Sequence, residues 1–185
     1  YENISDNQYA TALNEQMTIT IKNEFGPYLY PNQYVNFTAQ SQVVNKAQAL
    51  AASADSDIDV VTSVYNYIID NISYDYDKAK SVTSGYLPDV DTVLSSQKGI
   101  CFDYAAVMTA MLRSQRIPTR LEVGYMGDVY HAWISIYTKE TGWVNGIIKF
   151  DGKNWELMDP TFASTSKSPK NFTSENSKYT TKYVY

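Results

Sequence analysis

Gly99-Ile100-Cys101-Phe102-Asp103-Tyr104-Ala105 is the stretch on which the reading of this chain turns. The only cysteine of 185 residues stands two positions after a glycine, and the run from it to Arg113 contains neither glycine nor proline. Tyr104, Met108, Met111 and Leu112 recur there at helical spacing, so a buried helix is expected to begin at or beside Cys101. Arg116-Ile117-Pro118 breaks it. Downstream the period changes to two. Leu121, Val123 and Tyr125 alternate, Gly124 and Gly127 loosen a connection, and the alternation resumes from His131 to Tyr137. Asp151-Gly152 is a hairpin signal between strands at 147–150 and 155–158, and Asp159-Pro160 stops the second. The Ser/Thr/Lys/Asn-rich run 163–177 reads as loop, and Lys182-Tyr183-Val184-Tyr185 can supply one edge strand.

Upstream of the cysteine the pattern is mainly helical. Val43, Val44, Ala47, Leu50 and Ala51 have helical spacing, and so do Val61, Val64, Tyr65, Ile68 and Ile72. Asp55-Ser56-Asp57-Ile58-Asp59 resembles the start of a calcium loop, but Val60 stands where Gly is wanted and Asn66 where Glu is wanted. The cluster is better read as the capped, acidic start of the second helix. Met17, Ile19 and Ile21 alternate with Thr18, Thr20 and Lys22, which predicts a half-buried strand in an otherwise polar lead-in. Helices first and an antiparallel sheet after them make the fold class α+β. The expected organisation is a lead-in over 1–40, a core over 41–165 and a polar tail over 166–185.

Composition narrows the function. With 44% hydrophobic and 19% charged residues the chain can bury one substantial core. A net charge of −5 argues against nucleic acid as a partner. A single Cys and a single His exclude an internal disulfide and a multi-cysteine zinc site, and leave no basis for a His-based metal cage, so no metal or cofactor is expected. No apolar run reaches membrane-spanning length. Four Asn-X-Ser/Thr triplets, at Asn3, Asn36, Asn71 and Asn171, are discounted, because this composition produces about two by chance. The 17 tyrosines suit a hydrogen-bonding peptide groove or a core rim, of which the rim is the simpler reading.

The singletons carry the chemistry. A free thiol is only about 3% thiolate at pH 7, and a helix N-terminus with a neighbouring imidazolium favours the reactive anion. Cys101 is placed at such a helix start, where Gly99 would let a substrate approach the backbone. His131 opens a strand on the face shared with Trp133, and a proton-shuttling histidine wants a carboxylate on its far nitrogen. Asp159, at the end of a strand that can lie beside the histidine strand, is the candidate.

Gly99 to Ala105, His131-Ala132-Trp133 and Asp159-Pro160-Thr161, in this order, closely resemble the core of the transglutaminase-like superfamily, a papain-like thiol group. Asn66 to Asp75 resembles the helix that precedes this core in bacterial members. The resemblance covers about residues 45–165. It implies a papain-like α+β fold and a thioester formed on a protein or peptide amide, with Cys101 as nucleophile, His131 as base and Asp159 as orienter. Ile134 departs from the pattern, in which Asn commonly follows the Trp. The first oxyanion donor is expected to be the Cys101 N–H; for the second, Tyr74, Tyr76 and Gln97 are candidates. The acyl group is expected to pass to water, as in a peptidase or deamidase. The alternatives are transfer to lysine, as in cross-linking, or a non-catalytic binding or structural module of a surface protein. An extracellular or cell-surface location is expected from the polar Asn/Ser/Thr/Tyr composition and the missing start. Oligomeric state is not readable from the sequence.

Overall fold

The computed structural model describes residues 2–5, 8–18, 20–145, 148–150, 155–157 and 179–185. Strands β1 (Glu2–Ser5) and β2 (Gln8–Ala10) pair antiparallel with each other. The alternation at Met17–Lys22 does not make a strand: its described residues have no ladder partner, and Met17 and Ile21 stand 78% and 60% exposed. Without a second strand to shield one face, a period of two buries nothing.

Helices α1 (Gln42–Ala51) and α2 (Asp57–Asn71) follow where the apolar periods place them. Ser56 caps α2 by accepting from the Asp59 N–H, and Asp57 and Asp59 occupy the positive first turn. Val61, Val64, Tyr65, Ile68 and Ile72 are all buried, as their spacing requires. Next come β3 (Ser73–Tyr74), α3 (Tyr76–Ser81), α4 (Val90–Ser96) and β4 (Lys98–Gly99), with β3 and β4 paired parallel so that Tyr74 stands opposite Gly99. Helix α5 (Cys101–Ser114) then runs through the middle of the molecule. It lies against α1, α2 and α4 and against the first two strands of the main sheet, and Asp103 through Arg113 are all buried.

That sheet contains β5 (Thr119–Met126), β6 (Val129–Thr138) and β7 (Gly142–Val144). The strands β8 (Ile148–Phe150) and β9 (Trp155–Leu157) form the expected antiparallel pair. Among the described residues this pair is a separate sheet rather than a neighbour of the histidine strand, where Asp159 had been expected to arrive. Strand β10 (Tyr179–Val184) closes the edge, giving the order β10-β5-β6-β7 with antiparallel neighbours. Leu121, Val123, Ala132, Ile134 and Ile136 join the α5 core from the sheet.

Two features fix β10. Arg113, at the far end of α5, is buried and donates to the main-chain oxygens of Thr119, Tyr30 and Tyr185, the last at 2.7 Å. Burial lowers its pKa to about 10, which leaves the guanidinium charged at neutral pH. On the sheet face shared with Trp133, the carboxylate of Glu122 accepts from Ser135 of β6 and from Thr181 of β10 at 2.8 Å. Gly124, read from the sequence as loosening a connection, lies within β5 and permits a close approach instead. A Cβ there would sit 2.0 Å from the Thr180 carbonyl oxygen of β10. Gly124→Ala is therefore expected to displace β10 and lower stability by about 1–3 kcal/mol, seen as a lower urea midpoint. An unchanged midpoint would show that β10 yields at no cost.

Candidate active site

Cys101 is the first residue of α5. In that turn the backbone N–H groups have no partner within the helix, and the dipole favours negative charge. Asp103, two residues on, folds back to accept from the Ile100 N–H at 2.9 Å. Here Gly99 has its function. A Cβ at Gly99 would stand 2.6 Å from the Cβ of Asp103, so the glycine makes room for that side chain and is itself buried. The expectation that Gly99 admits substrate is corrected: Ile100 and Cys101 face the cavity, and Gly99 does not.

Asp103 is fully buried and ties three segments together. Besides Ile100, it accepts from Lys78 of α3 at 2.6 Å and from the Tyr86 hydroxyl at 2.5 Å, and Lys78 also donates to Tyr86 at 2.5 Å. Burial and the Asp103 carboxylate push the Tyr86 phenol far above its ordinary pKa, so it remains a neutral donor. Lys78 is 27% exposed, so removing its cation costs less than the ~3–5 kcal/mol of a fully buried pair. The network anchors the loop between α3 and α4 to the start of the helix that presents the thiol. Sequence reading missed it; its one local signal is Asp75, which caps α3 by accepting from the Lys78 N–H at 2.9 Å.

His131 is the third residue of β6 rather than the first, is 5% exposed, and shares a strand face with Trp133. The two rings stack at 6.3 Å and 25°, and Trp133 also meets Tyr179 of β10 edge-on at 4.9 Å. The tryptophan thus braces the imidazole and helps to keep it from solvent.

Cys101 and His131 both line one cavity of about 690 Å³, within the range of ligand sites. Tyr74, opposite Gly99 and edge-on to Tyr76 at 5.0 Å, lines it too. Gln97 is not in the wall. It ends α4 in a left-handed conformation (φ 54°), its side chain is exposed, and its carbonyl accepts from the Ser73 N–H at 2.9 Å. Asp159 lies outside the described residues. Asn145 is described and exposed. Among the described residues no cluster of His, Cys, Asp and Glu is arranged to hold a metal, and no helix is long and apolar enough to cross a membrane.

Known proteins are similar to this chain in sequence and fold. The chain is 31% identical over 97 residues, 45% of its length, to the UPF0252 protein MJ1282 of Methanocaldococcus jannaschii. It is 25% identical to the uncharacterized protein YebA of Bacillus subtilis over 90% of its length. It spans only 27% and 24% of those two relatives. Among solved structures, one from Cytophaga hutchinsonii described as "a Putative Cysteine Protease" superposes with a TM-score of 0.54 at 21% identity, covering 76% of this chain and 43% of that one. The periplasmic domain of TgpA from Pseudomonas aeruginosa gives 0.51 at 19%, covering 70% and 46%. These likenesses establish the papain-like α+β fold. The sequence profile of the transglutaminase-like superfamily matches residues 44–146, more than half of the chain and both of its singleton side chains, and the protein belongs to that superfamily.

Proposed function

We propose that the chain is a cysteine-dependent amide hydrolase acting on protein or peptide substrates through a thioester. The observation that carries this reading is the shared cavity: Cys101, the first residue of a buried helix, and His131, on the strand braced by Trp133, both line it. In the proposed cycle the Cys101 sulfur attacks the amide carbonyl while His131 takes the thiol proton. The imidazolium gives that proton to the departing amine, the C–N bond breaks, and an acyl-thioester remains. Water then attacks the thioester, His131 takes its proton, and the carboxylic acid leaves as the thiol is restored. The Cys101 N–H is the proposed first donor to the oxyanion, with Tyr74 as the second candidate. Asp159 is the proposed orienter of His131, and no metal or cofactor enters the cycle.

Water is preferred to lysine as acceptor for a physical reason. A free lysine side chain is unprotonated in only about 0.04% of molecules at neutral pH, so an amine-transfer enzyme must bind and deprotonate it. No Asp or Glu among the described residues lines the cavity to receive an ammonium group. The catalytic core is taken to span 41–165, flanked by 1–40 and 166–185. The periplasmic setting of the Pseudomonas domain supports a location outside the cytoplasm.

The test is a glutamine-containing protein offered together with a labelled primary amine. The expected products are cleaved peptides, or deamidated glutamine without label. Efficient label incorporation at modest amine concentration would instead make the protein a cross-linking enzyme. No product of either kind would leave a binding module.

A further inference from the structure

In a chain of which 19% of residues are charged, no Asp, Glu, Lys or Arg among the described residues lines the cavity around Cys101 and His131. Six tyrosines do: Tyr34, Tyr74, Tyr86, Tyr130, Tyr183 and Tyr185. Four of these rings are connected through Phe102. From the loop anchored by Asp103, Tyr86 meets Phe102 at 6.4 Å, Phe102 meets Tyr34 at 6.0 Å, Tyr34 meets Tyr185 at 4.0 Å, and Tyr185 stacks on Tyr183 at 6.2 Å. The arc begins at half-buried Tyr86 and ends at a mouth where Tyr130 and Tyr183 are 57% and 55% exposed. Tyrosines exposed to this degree beside a cavity supply rigid apolar area with a hydrogen-bonding tip, at a low entropic cost of ordering.

We propose that this cavity is a specificity pocket for a bulky uncharged side chain, aromatic above all, of a peptide whose amide is presented to Cys101. The inference rests on the amide-hydrolase reading and adds the substrate class to it. A charged side chain entering this space sheds water and meets no opposite charge, and such desolvation costs several kcal/mol per ion. An aromatic side chain meets ring faces and edges throughout the arc. The phenols of the wall also stay neutral. Burial and neighbouring phenols raise the pKa of Tyr130, and that of Tyr185 to about 12, so neither carries charge near neutral pH. The wall draws on Tyr34, before the helices, and on β10, after them, so its selectivity is a property of the whole assembled domain.

The experiment uses the full chain carrying Cys101→Ala, which binds without reacting. Acetylated hexapeptides with Phe, Ala, Asp or Lys at the third position and Gly or Gln elsewhere are titrated by ligand-observed NMR, with chitotetraose as a neutral sugar control. The Phe peptide is expected to bind at least about tenfold more tightly than the Asp and Lys peptides, which is about 1.4 kcal/mol. Adding Tyr183→Ala at the exposed mouth is expected to erase most of that ratio and to leave the melting temperature unchanged. Equal affinities, a preference for charge, tighter binding of the sugar, or no binding at millimolar peptide would each overturn the proposal. Turnover of the same peptides by the wild-type chain is scored separately. An inactive wild type with the aromatic preference intact removes hydrolysis and keeps the pocket. Hydrolysis without that preference does the reverse.

Discussion

A pure sample of the Cys101→Ala protein is expected to show no amide turnover, a loss of at least about 10⁴-fold, while melting within a few degrees of the wild type. The two halves of this result have separate causes. The chain contains no second thiol, so the covalent step has no substitute nucleophile. Meanwhile the anchoring of the helix start lies elsewhere, in the Asp103 carboxylate with Ile100, Lys78 and Tyr86, none of which touches the substituted atom in that network. Cys101 is half-buried, so deleting one sulfur atom there costs about 1 kcal/mol. Turnover above 1% of wild type, with the mass of the variant verified, would eliminate the thioester mechanism.

His131→Ala is expected to lower turnover by about 10²–10⁴-fold, the range for loss of a positioned acid–base group, and to slow alkylation of Cys101 by iodoacetamide at neutral pH. The second measurement matters more. A purely structural histidine, stacked on Trp133 and removed, would alter the melting temperature without altering thiol reactivity. Equal alkylation rates in wild type and variant would dissolve the pairing of thiol and imidazole. Asp159→Asn is expected to act in the same direction and less severely, because the imidazole keeps its brace but loses the carboxylate proposed to favour its cation. Wild-type behaviour of that variant would move the orienting role to another side chain, with Asn145 and Asp151 tested next.

The parts of the fold that the sequence announced are those whose signal repeats locally. The helix beginning at Cys101 carries apolar side chains through four turns, and the hairpin of β5 and β6 alternates on both arms, so periodicity alone locates them. The same rule misled at Met17–Lys22, where alternation exists but nothing pairs with it. Helix α3 went unread because six residues are too short for a period, and its Lys78 finds Asp103 across 25 positions of sequence. The site divides in the same way. Cys101 and His131 were legible as singletons in recognisable surroundings. Gln97 drew attention as a polar residue near the cysteine, but a left-handed turn carries it away from the cavity. The tyrosine wall was invisible as a unit, because Tyr34, Tyr86, Tyr130 and Tyr183 meet only after the sheet and helices have packed.

The position of β10 has a consequence for timing. It pairs with β5 across more than fifty intervening residues, and loop closure over such a span follows the formation of local structure. During synthesis, a chain that already contains Cys101 and His131 still lacks Tyr183 and Tyr185. The proposed nucleophile and base are therefore both made before the last two tyrosines of the cavity wall. A nascent or partly unfolded molecule would be a poor catalyst even with every reacting group in place, and competence would arrive with the docking of the last strand. On the proposed amide-hydrolase reading, nearby proteins are thereby spared attack by unfinished copies.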